Sequence, residues 1–498
     1  MNVNPITRLD YPDPDVIRVE DTYYMVSTTM HFMPGCEILQ SFDLVHWEHA
    51  TYVYETLDHT DAQQLKSGQN IYGQGMWAAS LRYHEGRFYI CFVANDTRKT
   101  YLYTSEKIDG PWKKQLIEGF YHDGSLLFDE DGRNYIVYGN DEIWITELNE
   151  DLTAPKKDGL HRLLVSDHKN PELGYEGSHI QKINGYYYIF LVHSLRDRWM
   201  RTEACFYSDS LEGEFTGGDV LCDDRGYCGQ GVAQGGIVDT PDGKWYAMLF
   251  QDSGAVGRIP ILLPVTWKDH FPFFGQNGHV PEEIEVHSTR PGYIYQPLVG
   301  SDDFCNGLLP RWQFNHDPDP RYYHLDALQG TYTITTREVC TELTQAVNTL
   351  TQRMSYPSCA AEVTVDASAL KEGDVAGLCA LQGCYAAVGI TKHHGKYEVL
   401  MLDKKEDGIL DMTERTVVES HQMDFRLEAD FCNMKDEARC YYRVNKGDWL
   451  PIGTVHKLYF KLDHFTGCRF GLFCYAAEET GGSACFRDFK YYDVDEIS

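Results

Sequence analysis

Positive charge is scarce in this chain of 498 residues: 44 Lys and Arg stand against 75 Asp and Glu, a formal net charge of −31. Such a surface repels phosphate backbones and anionic lipid, so neither nucleic acid nor a membrane is expected as a partner, whereas neutral sugars are unaffected. No uninterrupted apolar run reaches the roughly 20 residues that a transmembrane helix needs. Residues 1–10 lack a basic segment followed by an apolar stretch, so no secretory signal is expected. Helical periodicity is also missing, since neither half contains a long amphipathic segment. The 15 cysteines are an odd number, scattered through strand-like segments such as Phe88-Tyr89-Ile90-Cys91-Phe92. That pattern argues against a disulfide framework and for free thiols in a reducing cytoplasm. Cys222 and Cys228 are close in sequence, but no second pair at zinc-ligand spacing accompanies them, and no metal is expected there.

What the chain does have is aromatic residues, 34 Tyr and 23 Phe within a hydrophobic fraction of 43%, which favours strands. One pattern recurs through residues 1–290: a polar opening, an alternating strand, a tight turn, then an aromatic-rich strand. The turns are Glu20-Asp21-Thr22, Glu85-Gly86-Arg87, Asp131-Gly132-Arg133, Asn184-Gly185 and Asp242-Gly243-Lys244. Gly after Asp, Asn or Glu supplies the positive φ of a hairpin. One four-stranded unit per repeat predicts a five-bladed β-propeller over residues 1–290, whose innermost strands converge on a central channel. Residues 291–302 read as a linker. Beyond them the turns stop recurring, and the short alternating segments of residues 303–498 predict a β-sandwich. The chain is therefore all-β, a five-bladed β-propeller followed by a β-sandwich.

Three acidic motifs open different repeats. The first is Asp10-Tyr11-Pro12-Asp13-Pro14-Asp15, in which two prolines hold Asp13 rigidly. The others are His122-Asp123-Gly124-Ser125 and Tyr175-Glu176-Gly177-Ser178-His179, each with one acid directly before Gly. Taken singly, each has a bland explanation, a solvated turn for Asp13, an Asx turn for Asp123 and a surface position for Glu176. Together they mean more, because equivalent places in a propeller meet at the axis, and converging like charges require a reason.

These motifs, with Asn4-Pro5-Ile6, Tyr23-Tyr24, Met33-Pro34-Gly35, Ser41-Phe42-Asp43-Leu44, Trp47, Trp77-Ala78 and Gly257-Arg258, make the chain resemble glycoside hydrolase family 43, above all its β-xylosidase and α-L-arabinofuranosidase members. The resemblance spans the whole propeller, and it implies the five blades that the repeats also give, followed by a concanavalin-like β-sandwich. It implies Asp13 as general base, Glu176 as general acid and Asp123 as the residue that orients the acid and raises its pKa. It implies inversion at the anomeric carbon, with a water between sugar and base. Trp77 and Phe32 would wall the terminal sugar, although each also suits ordinary blade core. Arg258 would donate to sugar hydroxyls or else close a structural ion pair. Departures from the family pattern are Ala79 and Ser178, where prolines are usual.

Some relatives carry a fifth-blade histidine near a central calcium or water cluster. Here Gln234, in Val232-Ala233-Gln234-Gly235-Gly236, takes that place beside the substrate. No cofactor is required on this reading, and calcium is carried forward only as a structural ion whose oxygen ligands the sequence does not reveal. The expected substrate is an oligosaccharide derived from xylan or arabinoxylan, cut from its end. Alternatives are an α-L-arabinofuranosidase for arabinan or arabinoxylan side chains, and, in another class, a non-catalytic propeller that binds sugar or protein. The sandwich is expected to wall the pocket or to form the interface of a homo-oligomer.

Overall fold

The computed structural model describes residues 2–493. Five four-stranded antiparallel sheets follow one another in chain order, and their inner strands are Asp15–Val19, Met76–His84, Ser125–Phe128, Glu176–Ile183 and Val232–Asp239. Each inner strand neighbours the next, and the fifth returns to the first, so the ring is closed. The hairpins between first and second strands fall at the five turns read from the sequence. Glu20, Glu85, Gly86, Gly132, Asn184, Gly185 and Gly243 there have positive φ.

Among the described residues no strand is exchanged between the first and fifth blades, and other contacts seal the ring. The Asn4 amide donates to Leu262 O at 2.8 Å and to Pro281 O at 3.0 Å, and its Oδ1 accepts Leu262 N–H at 3.1 Å. Asn2–Val3 pairs with Glu283–Ile284, and Arg18 reaches across to Asp239.

At the axis, side chains near the starts of the inner strands bond the blades together. Asp15 accepts Leu81 N–H at 2.7 Å, Ser80 accepts Leu126 N–H at 3.1 Å, and Ser125 accepts Ile180 N–H at 3.0 Å. Arg82 fills the centre, donating to Asp15 Oδ2 (2.7 Å), Ser125 Oγ (2.7 Å), Leu126 O (2.9 Å) and Ile180 O (3.2 Å). Burial alone would push the Asp15 carboxyl up, but Arg82 and His179 outweigh it and hold it at about 2.

The sandwich consists of an eight-stranded and a seven-stranded sheet around one large apolar core that includes Trp312, Phe425, Phe470 and Phe486. Its eight-stranded sheet takes its edge strand from the propeller: Phe32–Met33 of the first blade pairs with Phe314–Asn315. Residues 285–312 contain no strand; their first part lies along the first blade, where Arg290 pairs with Asp21 and sits over Phe42, and their last part enters the sandwich core through Phe304 and Trp312. All 15 cysteines are free thiols. No helix among the described residues is long and apolar enough to cross a membrane.

Removing one partner of a buried ion pair leaves the other charge uncompensated. Arg82→Met is therefore expected to destabilise the propeller by about 3–5 kcal/mol, read as a lower urea midpoint at pH 7.

Candidate active site

The inner strands do not begin in regular β conformation. Each opens with a residue of positive φ: Asp13 (53°), Ala78 (23°), Asp123 (49°), Gly177 (65°) and Gln234 (63°). Bulges interrupt the ladder at Trp77/Ser80, Glu176/His179 and Ala233/Gly236. A bulge turns side chains off the sheet normal and aims them at the mouth of the channel. Only Gly177 adopts this backbone without strain, and a Cβ there would stand 2.7 Å from the Gln234 side chain. At the other four positions the strain is held by the surroundings, as is usual where function demands it.

Asp13, Asp123 and Glu176 all line one cavity of about 540 Å³ at this mouth. Asp13 and Asp123 occupy the same structural position in their blades. Glu176 does not, since the positive-φ residue of its blade is Gly177. The expectation of three equivalent acids is thus corrected: Glu176 stands one residue earlier, where the third blade has His122 and the second has Trp77.

Asp13 is buried and fully bonded. Its Oδ2 accepts from Thr28 Oγ1 at 2.6 Å and its Oδ1 from Arg258 Nη1 at 2.9 Å. Thr28 Oγ1 also accepts Ala78 N–H at 2.8 Å, tying the base of the first blade to the second. Arg258 is 3% exposed, and its Nε and Nη2 have no partner in the protein. Its guanidinium lies 4.4 Å from the Phe465 ring centre and 5.2 Å from that of Phe250. One arm of Arg258 thus closes an ion pair with Asp13, and its two other donors stay buried without a protein partner. Its backbone is set by Asp10, whose carboxylate accepts Arg258 N–H and, from the sandwich, Gly467 N–H, both at 2.8 Å.

Asp123 Oδ2 accepts Gly177 N–H at 2.9 Å, and Ser178 Oγ donates to Asp123 O at 2.6 Å. Asp123 thus fixes the backbone next to Glu176. Glu176 Oε2 accepts the Asn140 amide at 2.8 Å. His122 Nε2 lies 3.6 Å from Asp123 Oδ2 and 3.7 Å from Glu176 Oε2. Burial pushes the Asp123 carboxyl up to about 6, with Glu176 and Asp13 adding to the rise and His122 opposing it. Asp123, then Glu176, push His122 up to about 9 against its own burial.

The model of glycosyl hydrolases family 43 matches residues 3–272, and that of the β-xylosidase C-terminal concanavalin A-like domain matches residues 301–492. The chain belongs to glycosyl hydrolases family 43. Among relatives of this family, a β-xylosidase of Formosa agariphila is 27% identical, covering 99% of this chain and 89% of its own length. A non-reducing-end α-L-arabinofuranosidase of Bacteroides ovatus is 26% identical over 66% of this chain and 63% of its own. The structure of a bifunctional GH43-CE protein of Bacteroides eggerthii is 42% identical with a TM-score of 0.92, covering 99% of this chain. This chain spans 64% of that protein.

Of the family-derived contacts, Trp77, Gln234 and Arg258 line the cavity. Phe32 does not. It is 2% exposed, lies in the strand given to the sandwich and packs 3.4 Å beneath the Arg469 guanidinium, so the domain junction claims its ring. Several lining residues went unread in the sequence. Arg201, bonded to Asp252 at 2.8 Å, faces the cavity from the fourth and fifth blades. Met434, Phe460 and Phe465 of the sandwich close it from above. Buried Arg in an aromatic strand was the available signal for Arg201; nothing marked the sandwich loop.

A calcium ion does not fit this axis. The carboxylate and carbonyl oxygens there are engaged by the Arg82 guanidinium. The space beneath the acids, lined by Asp13, Ser80, Asp123 and His179, measures about 10 Å³, near the minimum for one water and less than a cation with an oxygen shell needs. His122, Asp123 and Glu176 come within 4.8 Å of one another.

Arg258→Met is expected to lower kcat/KM at least about 100-fold, since the charged bond to Asp13 and the two unpartnered donors at the cavity vanish together. Arg258→Lys restores the charge without the fork of donors and should recover only part of the loss. Steady-state kinetics with unchanged circular dichroism checks both.

Proposed function

We propose that the chain is an exo-acting, inverting glycoside hydrolase that releases terminal pentose, β-D-xylose or α-L-arabinofuranose, from oligosaccharides of xylan or arabinoxylan. The observation that carries this reading is the meeting of Asp13, Asp123 and Glu176 in one cavity, with a permanent cation bonded to Asp13 alone. Relatives named β-xylosidase and α-L-arabinofuranosidase support the two sugars, whose hydroxyls can be arranged alike around one set of donors. Closure of the cavity by Phe460 and Phe465 favours a chain end over the middle of a polymer.

In this reaction Asp13, bonded to Arg258, takes a proton from water as the water attacks the anomeric carbon. Glu176 gives its proton to the departing glycosidic oxygen. Asp123 holds the Glu176 backbone through Gly177 N–H. Buried donors of Arg258 bind the terminal sugar. A binding module would have no use for a proton donor facing a base. For its address we propose a reducing compartment, in which unpaired Cys222 and Cys228 stay as thiols, and short imported oligosaccharides as substrate.

Glu176→Ala is expected to lose far more rate on xylobiose than on aryl β-D-xyloside, because a good leaving group needs no proton. Equal loss on both would remove Glu176 from the acid role. Proton NMR of the first-formed sugar should give the inverted anomer, and Asp13→Ala should bind product yet turn over nothing.

A further inference from the structure

We infer that His122 is a positioning residue for the acid half of the site: a cationic imidazole between Asp123 and Glu176 that makes Glu176 a stronger acid and stabilises both carboxylates once the proton has left. The inference rests on Glu176 as proton donor. Asp123 accepts its hydrogen bond from Gly177 N–H, and the imidazole Nε2 stands between the two carboxyls, 3.6 and 3.7 Å from them. The imidazole therefore faces both acids at once, which also act on each other directly.

The other acids of the cavity have different partners. Asp13 is paired with Arg258, and Asp252 with Arg201. A guanidinium never gives up its proton, which suits a base that must stay ionised. Glu176 instead gains and loses a proton in every turnover, and its neighbouring cation is a histidine.

The charge balance explains what that cation does. With Glu176 protonated, Asp123 and cationic His122 cancel. When the Glu176 O–H bond breaks, its proton joins the glycosidic oxygen, which departs with the electron pair of its bond to the anomeric carbon. The local charge becomes −1. Without the imidazolium it would become −2 in a partly buried space, so Asp123 alone would leave Glu176 gripping its proton too tightly. His122 keeps its own proton throughout.

The surroundings hold His122 in the charged form. Asp123 and Glu176 flank it, Asp13 faces it across the cavity, and Arg201 and Arg258 stand beyond the acids. Trp77 covers it at a ring separation of 6.2 Å. His122 titrates at about 9, so it is charged throughout the neutral range.

His122→Asn and His122→Lys test this. In the Asn variant the alkaline limb of kcat/KM should move up by about one pH unit or more, because a positive neighbour has been removed from the acid. Its kcat on xylobiose should fall at least about tenfold while that on aryl xyloside with a good leaving group changes less than about threefold. The Lys variant should restore both. An unmoved or downward limb, or equal loss on the two substrates, would overturn the inference. A second measurement needs no substrate: in protein carrying ¹³C-histidine, the resonance absent from the Asn variant is that of His122. It should titrate about two units above the ordinary histidine value near 6.5 and fall toward that value in Asp123→Asn; ordinary titration in the parent protein defeats the inference. If that resonance behaves as expected but the parent releases no pentose, the hydrolase reading fails and the charge arrangement stands.

Discussion

Carboxylates that share a small cavity repel one another, and the structure is organised around containing that repulsion. At 4 Å two like charges oppose each other by about 4 kcal/mol in the effective dielectric of a protein surface. Four buried or half-buried acids line the channel mouth, Asp13, Asp123, Glu176 and Asp252, and Asp15 lies directly below. Each stands beside a cation: Arg258, His122, Arg201 or Arg82. The fixed cations mark the acids whose charge must not change. Between Asp123 and Glu176, the pair in which a proton comes and goes, the cation is the His122 imidazole.

Backbone strain and charge placement come from the same device. A positive-φ residue near the start of every inner strand bends the backbone there, bringing Asp13, Asp123 and Gln234 to one cavity, and the inter-blade bonds of Asp15, Ser80 and Ser125 hold the strands rigid. Reactive groups so placed need little reorganisation when a substrate arrives.

The sandwich is part of the site rather than an appendage. Its Arg353 donates to Asp10 O at 2.9 Å and pairs with Glu37 of the first blade at 2.8 Å. Gly467 N–H bonds the same Asp10 that sets the backbone of Arg258, and Phe465 covers the Arg258 guanidinium. A change at the domain junction is thereby felt at the residue paired with Asp13.

Local chemistry alone determined much of this protein. Hairpins at Glu85-Gly86 and Asn184-Gly185 follow from backbone preferences that need no partner, and five of them in order dictate five blades. Asp13, Asp123 and Glu176 were legible because each sits in a distinctive short motif. What tertiary structure decided lies between segments distant in the chain. Whether Phe32 meets a sugar or a strand of the sandwich depends on Phe314 and Asn315, some 280 residues away. The offset of Glu176 depends on a bulge, and the role of His122 on two acids from adjacent blades. A side chain's charge environment is set by whatever the fold brings within a few ångströms, and that proximity is not written in the order of residues along the chain.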